Sequence, residues 1–320
     1  MSRLVLSIAV LLLASSSARA APYVEAYSST WGQAGITASD SLARVINGEL
    51  YGPQRSGTNG TSNAGPIGPG ATRAFANTSV IVGGVLTTSD TVADLATGTL
   101  RSSVQALGGP GISTIGIANA YWSDVVTFNN ASGTTLELDL RWLTEGSVTP
   151  STPVGTYGID VHSSVQVFNT NNAYGTVVTL KDDNPATPTM GGAQFNYGTF
   201  GQAGGAYWTF QPVGNNDENS WTTTLLSPTS GLISATLLVP AGTSAIDIAA
   251  QLQMDCRNGT LCDYGHTATF SFGALPDGLS WTSDSGVFLT AAVPEGGTLS
   301  LFAVGLAALA VLRRRRALGH

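Results

Sequence analysis

Apolar and polar residues alternate with a period of two through much of the chain. Between residues 134 and 143, Leu136, Leu138, Leu140 and Trp142 share one face, and Glu137, Asp139 and Arg141 share the other. That period belongs to a strand with one buried face, because successive side chains leave a strand on opposite sides. Residues 158–168 repeat it, with Ile159, Val161, Val165 and Val167 together. Residues 121–129, 176–180, 206–211, 221–225, 232–239, 245–254 and 267–273 also read as strands. Clusters of Asn, Asp, Gly and Pro, as at 169–172 and 181–185, separate them and supply turns. Many short strands at this spacing predict an all-β body, a two-sheet antiparallel sandwich of jelly-roll-like type.

The opening of the body, residues 21–75, is less regular. Ser39 or Asp40 is placed to cap a short helix over 39–47 that lines up Leu42, Val45 and Ile46. Residues 52–70 are rich in Gly and Pro and predict a long loop. Residues 78–86 and 93–105 alternate like strands, with Leu95, Thr97, Thr99 and Arg101 marking one register. No linker divides the body, so 21–292 is read as one domain.

Both ends depart from this pattern. Arg3, an apolar run over 4–13 and the small-residue stretch ending Ala18-Arg19-Ala20 make a signal peptide, residues 1–20, cut after Ala20. At the other end Val293-Pro294-Glu295-Gly296-Gly297 precedes an apolar run over 298–312 and then Arg313, Arg314, Arg315 and Arg316. At about 1.5 Å per residue that run spans roughly 22 Å of a hydrocarbon core of about 30 Å, so this transmembrane helix needs its arginines to snorkel. Basic flanks stay in the cytoplasm, which puts the body outside the inner membrane.

This three-part tail, residues 293–316, resembles the PEP-CTERM sorting signal. The resemblance implies export by the general secretory route, then processing by an exosortase-type membrane protease or transpeptidase. Its setting is Gram-negative bacteria that make exopolysaccharide and biofilm matrix. Gly296 stands where the pattern has a second proline. Gly296-Gly297 also fits a GlyGly-type tail cut by a rhomboid-like protease, and an uncut tail anchor is the third alternative. Two body segments are similar to parts of that family's extracellular domains. One is Val92-Ala93-Asp94-Leu95-Ala96-Thr97-Gly98-Thr99-Leu100. The other runs from Asp263-Tyr264-Gly265-His266-Thr267-Ala268 through Leu275-Pro276-Asp277-Gly278 to Ser283-Asp284-Ser285-Gly286-Val287-Phe288-Leu289. Pro276-Asp277-Gly278 supplies the turn. Phe288 and Leu289 are expected in a last strand that brings the chain out at the sandwich edge. The family implies location and architecture, not a chemistry.

Charge narrows the partners. The body holds one lysine, Lys181, and six arginines against 19 acidic side chains, a net charge of about −12. Such a surface disfavours nucleic acid, anionic lipid and polyanionic sugar. The two cysteines, Cys256 and Cys262, are expected to form a disulfide in an exported chain. Of further metal ligands only His266 is near them, so no metal site is expected.

Candidate chemistry is sparse. The body has two histidines, His162 and His266, and a triad of His266, Asp263 and a serine can be drawn in any Ser-rich chain. No Gly-x-Ser-x-Gly or His-Glu-x-x-His motif accompanies them. Asp182-Asp183 and Asn215-Asn216-Asp217-Glu218-Asn219 are oxygen-rich, read either as solvated loops or as calcium ligands. Tyr197, Tyr207, Trp208 and Trp221 lie among Asn- and Gly-rich turns, as core aromatics or as a platform on which a sugar ring stacks. The resulting expectation is a non-enzymatic, cofactor-free surface or matrix protein with a structural or adhesive role. Exopolysaccharide is its candidate partner. The alternatives are a carbohydrate-binding module using Tyr207, Trp208 and Trp221, and a secreted hydrolase.

Overall fold

Period-two patterning becomes strand nearly everywhere in the computed structural model. It describes residues 22–33, 39–46, 49–51, 54–56, 72–82, 84–107, 113–150, 158–169, 176–182, 191–200, 207–213, 220–257 and 259–290. Ala18 and Ala20, the Val293-Pro294-Glu295 motif, the apolar run 298–312 and Arg313 to Arg316 lie outside these residues. So do Asp183, residues 215–219 and most of 52–70.

One sheet begins with β1 (Tyr23–Gln33), β2 (Ser39–Ile46), β3 (Glu49–Tyr51) and β4 (Gln54–Ser56). The other begins with a meander of β5 (Arg73–Val82), β6 (Val85–Asp94) and β7 (Thr99–Ala106). From there the chain alternates between the sheets. β8 (Ser113–Asn130) lies in the first, β9 (Leu136–Pro150) in the second, β10 (Gly158–Asn169) in the first and β11 (Thr179–Leu180) in the second. β12 (Gly192–Phe200) and β13 (Tyr207–Val213) return to the first sheet. β14 (Thr222–Ser227) and β15 (Ser230–Val239) follow in the second. β16 (Gly242–Arg257), β17 (Thr260–Phe272) and β18 (Leu279–Ser283) complete the alternation.

The first sheet runs β13-β12-β10-β16-β8-β1-β2-β3 and the second β11-β15-β9-β17-β7-β6-β5, with every described pairing antiparallel. This is an all-β body of two antiparallel sheets, with no helix among the described residues.

Facing positions of the two sheets close a single core. β15 alternates without a break, turning Gly231, Ile233, Ala235, Leu237 and Val239 inward. Trp122 of β8 lies at the centre. Its ring packs against Trp142 and Phe270 of the opposite sheet, at centroid distances of 6.2 and 5.8 Å. Trp142 donates its indole N–H to Ser163 Oγ across the sheets at 2.8 Å, and that hydroxyl also bonds Thr144 Oγ1 at 2.7 Å. A buried indole N–H left without a partner would cost about 1–3 kcal/mol, so Ser163 on β10 specifies how the sheets face each other. Gly231 leaves room for the ring of Phe195 on β12. A Cβ at Gly231 would fall 1.7 Å from that ring.

Three local expectations are corrected. Residues 39–46 form β2, paired to β1 through Ala26↔Ala43 and its neighbours, rather than a helix. A helix that short is marginal on its own, and the free edge of β1 offers a full ladder of partners. The alternating run 93–105 is not one strand. β6 ends at Asp94, whose carboxylate accepts the Ala96 N–H at 3.0 Å, and residues 95–98 turn the chain into β7. Finally, the expected loop 52–70 includes β4, which pairs with β2.

The link from β16 to β17 crosses between sheets, and the expected disulfide stands there. Cys256 and Cys262 are bonded with Cα atoms 6.6 Å apart, both fully buried. Arg257 pairs with Asp255 beside it, its Nε 2.9 Å from Oδ1. Replacing both cysteines by alanine should lower the unfolding free energy by about 2 kcal/mol, the chain-entropy value for so small a loop. Urea unfolding of the oxidised wild type and the double variant measures this.

Candidate functional site

The segment joining the body to the expected tail is built into the fold, and its attachment centres on one carboxylate. β16 occupies one edge of β8 along its whole length from Ile115 to Asn130. The other edge is shared. β1 pairs there with residues 113–123, and β18 pairs with residues 126–130. Between them Asp124 and Val125 have no strand on that side, and there the chain leaving β18 turns inward. Asp284 donates its N–H to Val125 O at 3.0 Å.

Asp124 falls on the inward-facing set of β8, with Ala118, Ala120, Trp122, Val126 and Phe128, and is 2% exposed. A carboxylate there is costly unless it is hydrogen-bonded. Its Oδ1 accepts the N–H groups of Val125 at 2.8 Å and of Ser285 at 3.2 Å. Its Oδ2 accepts the Ser285 hydroxyl. Burial still outweighs these bonds and holds the Asp124 pKa above the ordinary carboxylate value, with Asp284 adding repulsion.

The expected turn at Asp277-Gly278 is present. Leu279 N–H reaches Pro276 O at 3.1 Å, and Gly278 adopts φ +83°. The strand after it ends early, at Ser283. Phe288 and Leu289, expected in a terminal strand, lie instead in a turn that crosses toward the second sheet. Serine hydroxyls replace the ladder. Ser285 Oγ accepts the N–H groups of Val287 and Phe288 at 3.2 Å each, and Ser283 Oγ accepts that of Phe288 at 3.3 Å. Freed from the sheet, Phe288 is fully buried against Trp122, Phe270 and Trp281, with centroids 5.2, 5.6 and 6.2 Å away. Leu289 donates its N–H to Leu95 O of the second sheet at 3.1 Å. Gly98, at φ +64°, admits the Leu289 side chain, and a Cβ there would fall 2.5 Å from Leu289 Cδ2. One strap thus spans both sheets.

A second carboxylate faces this closure from β16. Asp247 Oδ1 is buried with no hydrogen-bond partner. Its pKa is pushed up to about 6 by burial, then by Asp284 and Asp124. No metal-holding group of three His, Cys, Asp or Glu occurs among the described residues.

The remaining candidates are dispersed. His162 on β10 is partly buried, its Nδ1 bonded to Asn196 Oδ1 at 2.7 Å, and burial lowers its pKa. Asp263 accepts the Gly265 N–H at 2.9 Å within a bulge of β17 that also contains His266, whose side chain lies outside the described residues. Trp221 is 4% exposed within the core, so it cannot offer a face to a sugar. Tyr207 and Trp208 lie on β13, the outermost strand of the first sheet, where Trp208 stands opposite Tyr197. Their side chains lie outside the described residues. Asp124, Asp247 and Ser285 were not foreseen as a group. The faint sequence signal was an acidic residue, Asp124, in register with Trp122, Val126 and Phe128.

A scan against protein-family models gives no match, and a search of curated proteins gives none. A solved structure, "Structure of infectious bursal disease virus Gx strain", aligns over 80% of this chain and 83% of that one at 10% identity. Its TM-score of 0.09 carries no argument about this fold.

Two outcomes are expected. Phe288→Ala should destabilise the body by about 3–5 kcal/mol, the range for emptying a buried aromatic site, read by urea unfolding. For Asp247 the native state holds its proton more tightly than the unfolded chain between pH of about 3.9 and about 6. Stability therefore falls as pH rises through that window and levels off above it. Asp247→Asn should flatten this slope. After allowance for the group's partial exposure, it should raise stability at neutral pH by about 1 kcal/mol, read from unfolding midpoints between acid and neutral pH.

Proposed function

We propose that this chain is an exported protein displayed at the cell surface or released into the extracellular matrix. Its ends are sorting elements, and its sandwich serves a structural or adhesive role in the envelope or biofilm matrix. The observation that carries the reading is the pairing of the chain's only two cysteines, Cys256 and Cys262, in a buried disulfide. Such bonds persist in oxidising compartments and are rare in the cytosol. The signal peptide ending at Ala20 supplies the route. Val293-Pro294-Glu295 is the recognition motif for an exosortase-type enzyme, the run 298–312 holds the intermediate in the inner membrane, and Arg313 to Arg316 retain it there. The strap adds support, because it anchors the chain to both sheets up to Thr290, three residues before the motif.

A role in contacting exopolysaccharide is the second reading. The register of Trp208 against Tyr197 on an outermost strand favours it. Glycan-array binding that disappears in Trp208→Ala would establish it.

The deciding measurement is the intact mass of the protein from its native host, with membrane, surface and medium fractions kept apart. The expected species begins at Ala21 and ends near Glu295 in the surface or medium fraction. A species that keeps Arg313 to His320 in the inner membrane would make the tail a plain anchor and defeat the exosortase reading.

A further inference from the structure

The outer edge of β15 is built in two pieces, and the break between them is a small polar notch. β9 covers one edge of β15 from Gly231 to Val239, so both other partners of β15 share the opposite edge. β14 pairs there with residues 230–234 and β11 with Leu237 and Leu238. Ala235 and Thr236 stand in the gap. The Lys181 N–H, donated to Thr236 O at 2.8 Å, turns one wall, and Ser220 forms the other. The floor comes from outward positions in register, Ser234 beside Arg141 and Thr236 beside Asp139. The cavity measures about 180 Å³. That lies below the roughly 300–1,000 Å³ that encloses a drug-sized ligand and suits one small ring.

The chemistry of the lining is specific. Asp139 Oδ1 accepts the Thr236 hydroxyl at 2.9 Å, which leaves its second oxygen open. Arg141 is exposed and has no ion pair or hydrogen bond among the described residues. Lys181 is already engaged by Glu137 at 2.8 Å. Ser220 is 7% exposed, and its hydroxyl has no partner. That hydroxyl is closed off from solvent, so Ser220 gives the inner wall its shape, and the polar contacts fall to Arg141 and Asp139.

An anion would meet Asp139 on the floor and Asp182 in the lining, in a body of strongly negative charge. An apolar ligand would find no apolar side chain facing it, because Ala235 turns its methyl into the core. A ring bearing neighbouring hydroxyls offers a donor and an acceptor at each, matching an open carboxylate oxygen and a guanidinium together.

We propose that this notch binds one neutral hexopyranose unit. Arg141 donates to one ring hydroxyl, Asp139 accepts from its neighbour, and Ser220 closes the inner wall. The proposal does not rest on the sorting reading, and its site is separate from Trp208.

The test is ligand-observed saturation-transfer NMR on the full-length chain in detergent. The probes are the methyl glycosides of glucose, mannose and galactose, with glucuronate and inorganic phosphate as anionic competitors. The expected result is transfer to the ring protons of at least one methyl glycoside. Arg141→Ala and Asp139→Ala should each cut its affinity by at least about tenfold, the loss expected of one charge-assisted hydrogen bond. Both are exposed positions, and an unchanged unfolding midpoint confirms that the variants are folded. Trp208→Ala should leave binding intact, and phosphate should not displace the sugar. Absence of transfer to all three glycosides overturns the proposal. So does transfer unaffected by both notch variants, transfer lost only in Trp208→Ala, or preferential binding of glucuronate or phosphate.

Discussion

A carboxylate in the core-facing row of β8 is the constraint around which the end of this fold is organised. Asp124 stands between Trp122 and Val126 in a row that is otherwise apolar from Ala118 to Phe128. An unmatched charge there would cost several kcal/mol, comparable with the whole stability of many domains. What offsets it lies far along the chain, at Ser285, whose N–H and hydroxyl both point at the carboxylate. The body therefore depends on its own C-terminal segment chemically as well as sterically. Phe288 fills the space beneath Trp122, and Ser285 satisfies the group that an otherwise greasy row leaves wanting. Asp247 works against this closure, since its buried oxygen has no partner and Asp284 and Asp124 repel its charge. The strap is held by packing and hydrogen bonding against an electrostatic strain that protonation relieves.

Much of the sheet content was legible because alternation reports burial directly. Residues 136–142 have one face apolar and one polar, and they become part of β9 with the anticipated face inward, while the expected strand over 232–239 becomes part of β15. Legibility failed where something other than local pattern decides. Ser39 to Ile46 carries a plausible helix cap, yet a long-range partner, the edge of β1, decides its conformation. The run through Leu95 to Arg101 keeps its alternation across a turn, because Asp94 caps the bend without interrupting the apolar rhythm. Phe288 and Leu289 look like strand residues. Two serines upstream accept the Phe288 N–H and Leu95 O accepts that of Leu289, which releases both from the sheet, an effect no periodicity encodes.

The candidate sites divide the same way. The disulfide was readable from two cysteines in a chain with no others. The Asp124–Ser285 contact joins residues 161 positions apart, and the notch beside β15 arises from a gap between two edge strands. Neither leaves a contiguous motif. Trp221 shows the converse, a residue type that fits either a ligand platform or the core and is spent on packing.

The alternation of the chain between sheets has a consequence for the timing of assembly. Tyr23 in β1 finds its ladder partner at Ser123, and the slot beside Asp124 stays open until Ser285 arrives. Non-local pairing of this kind makes folding slow, because loop closure must be met before contacts reward it. In a chain delivered N-terminus first, the early strands must wait, exposed, for the last stretch of the body. Completion of the core then waits for Ser285 and Phe288 to emerge. A chain still being made is an unfinished one, and its open slot beside Asp124 distinguishes it from the folded molecule.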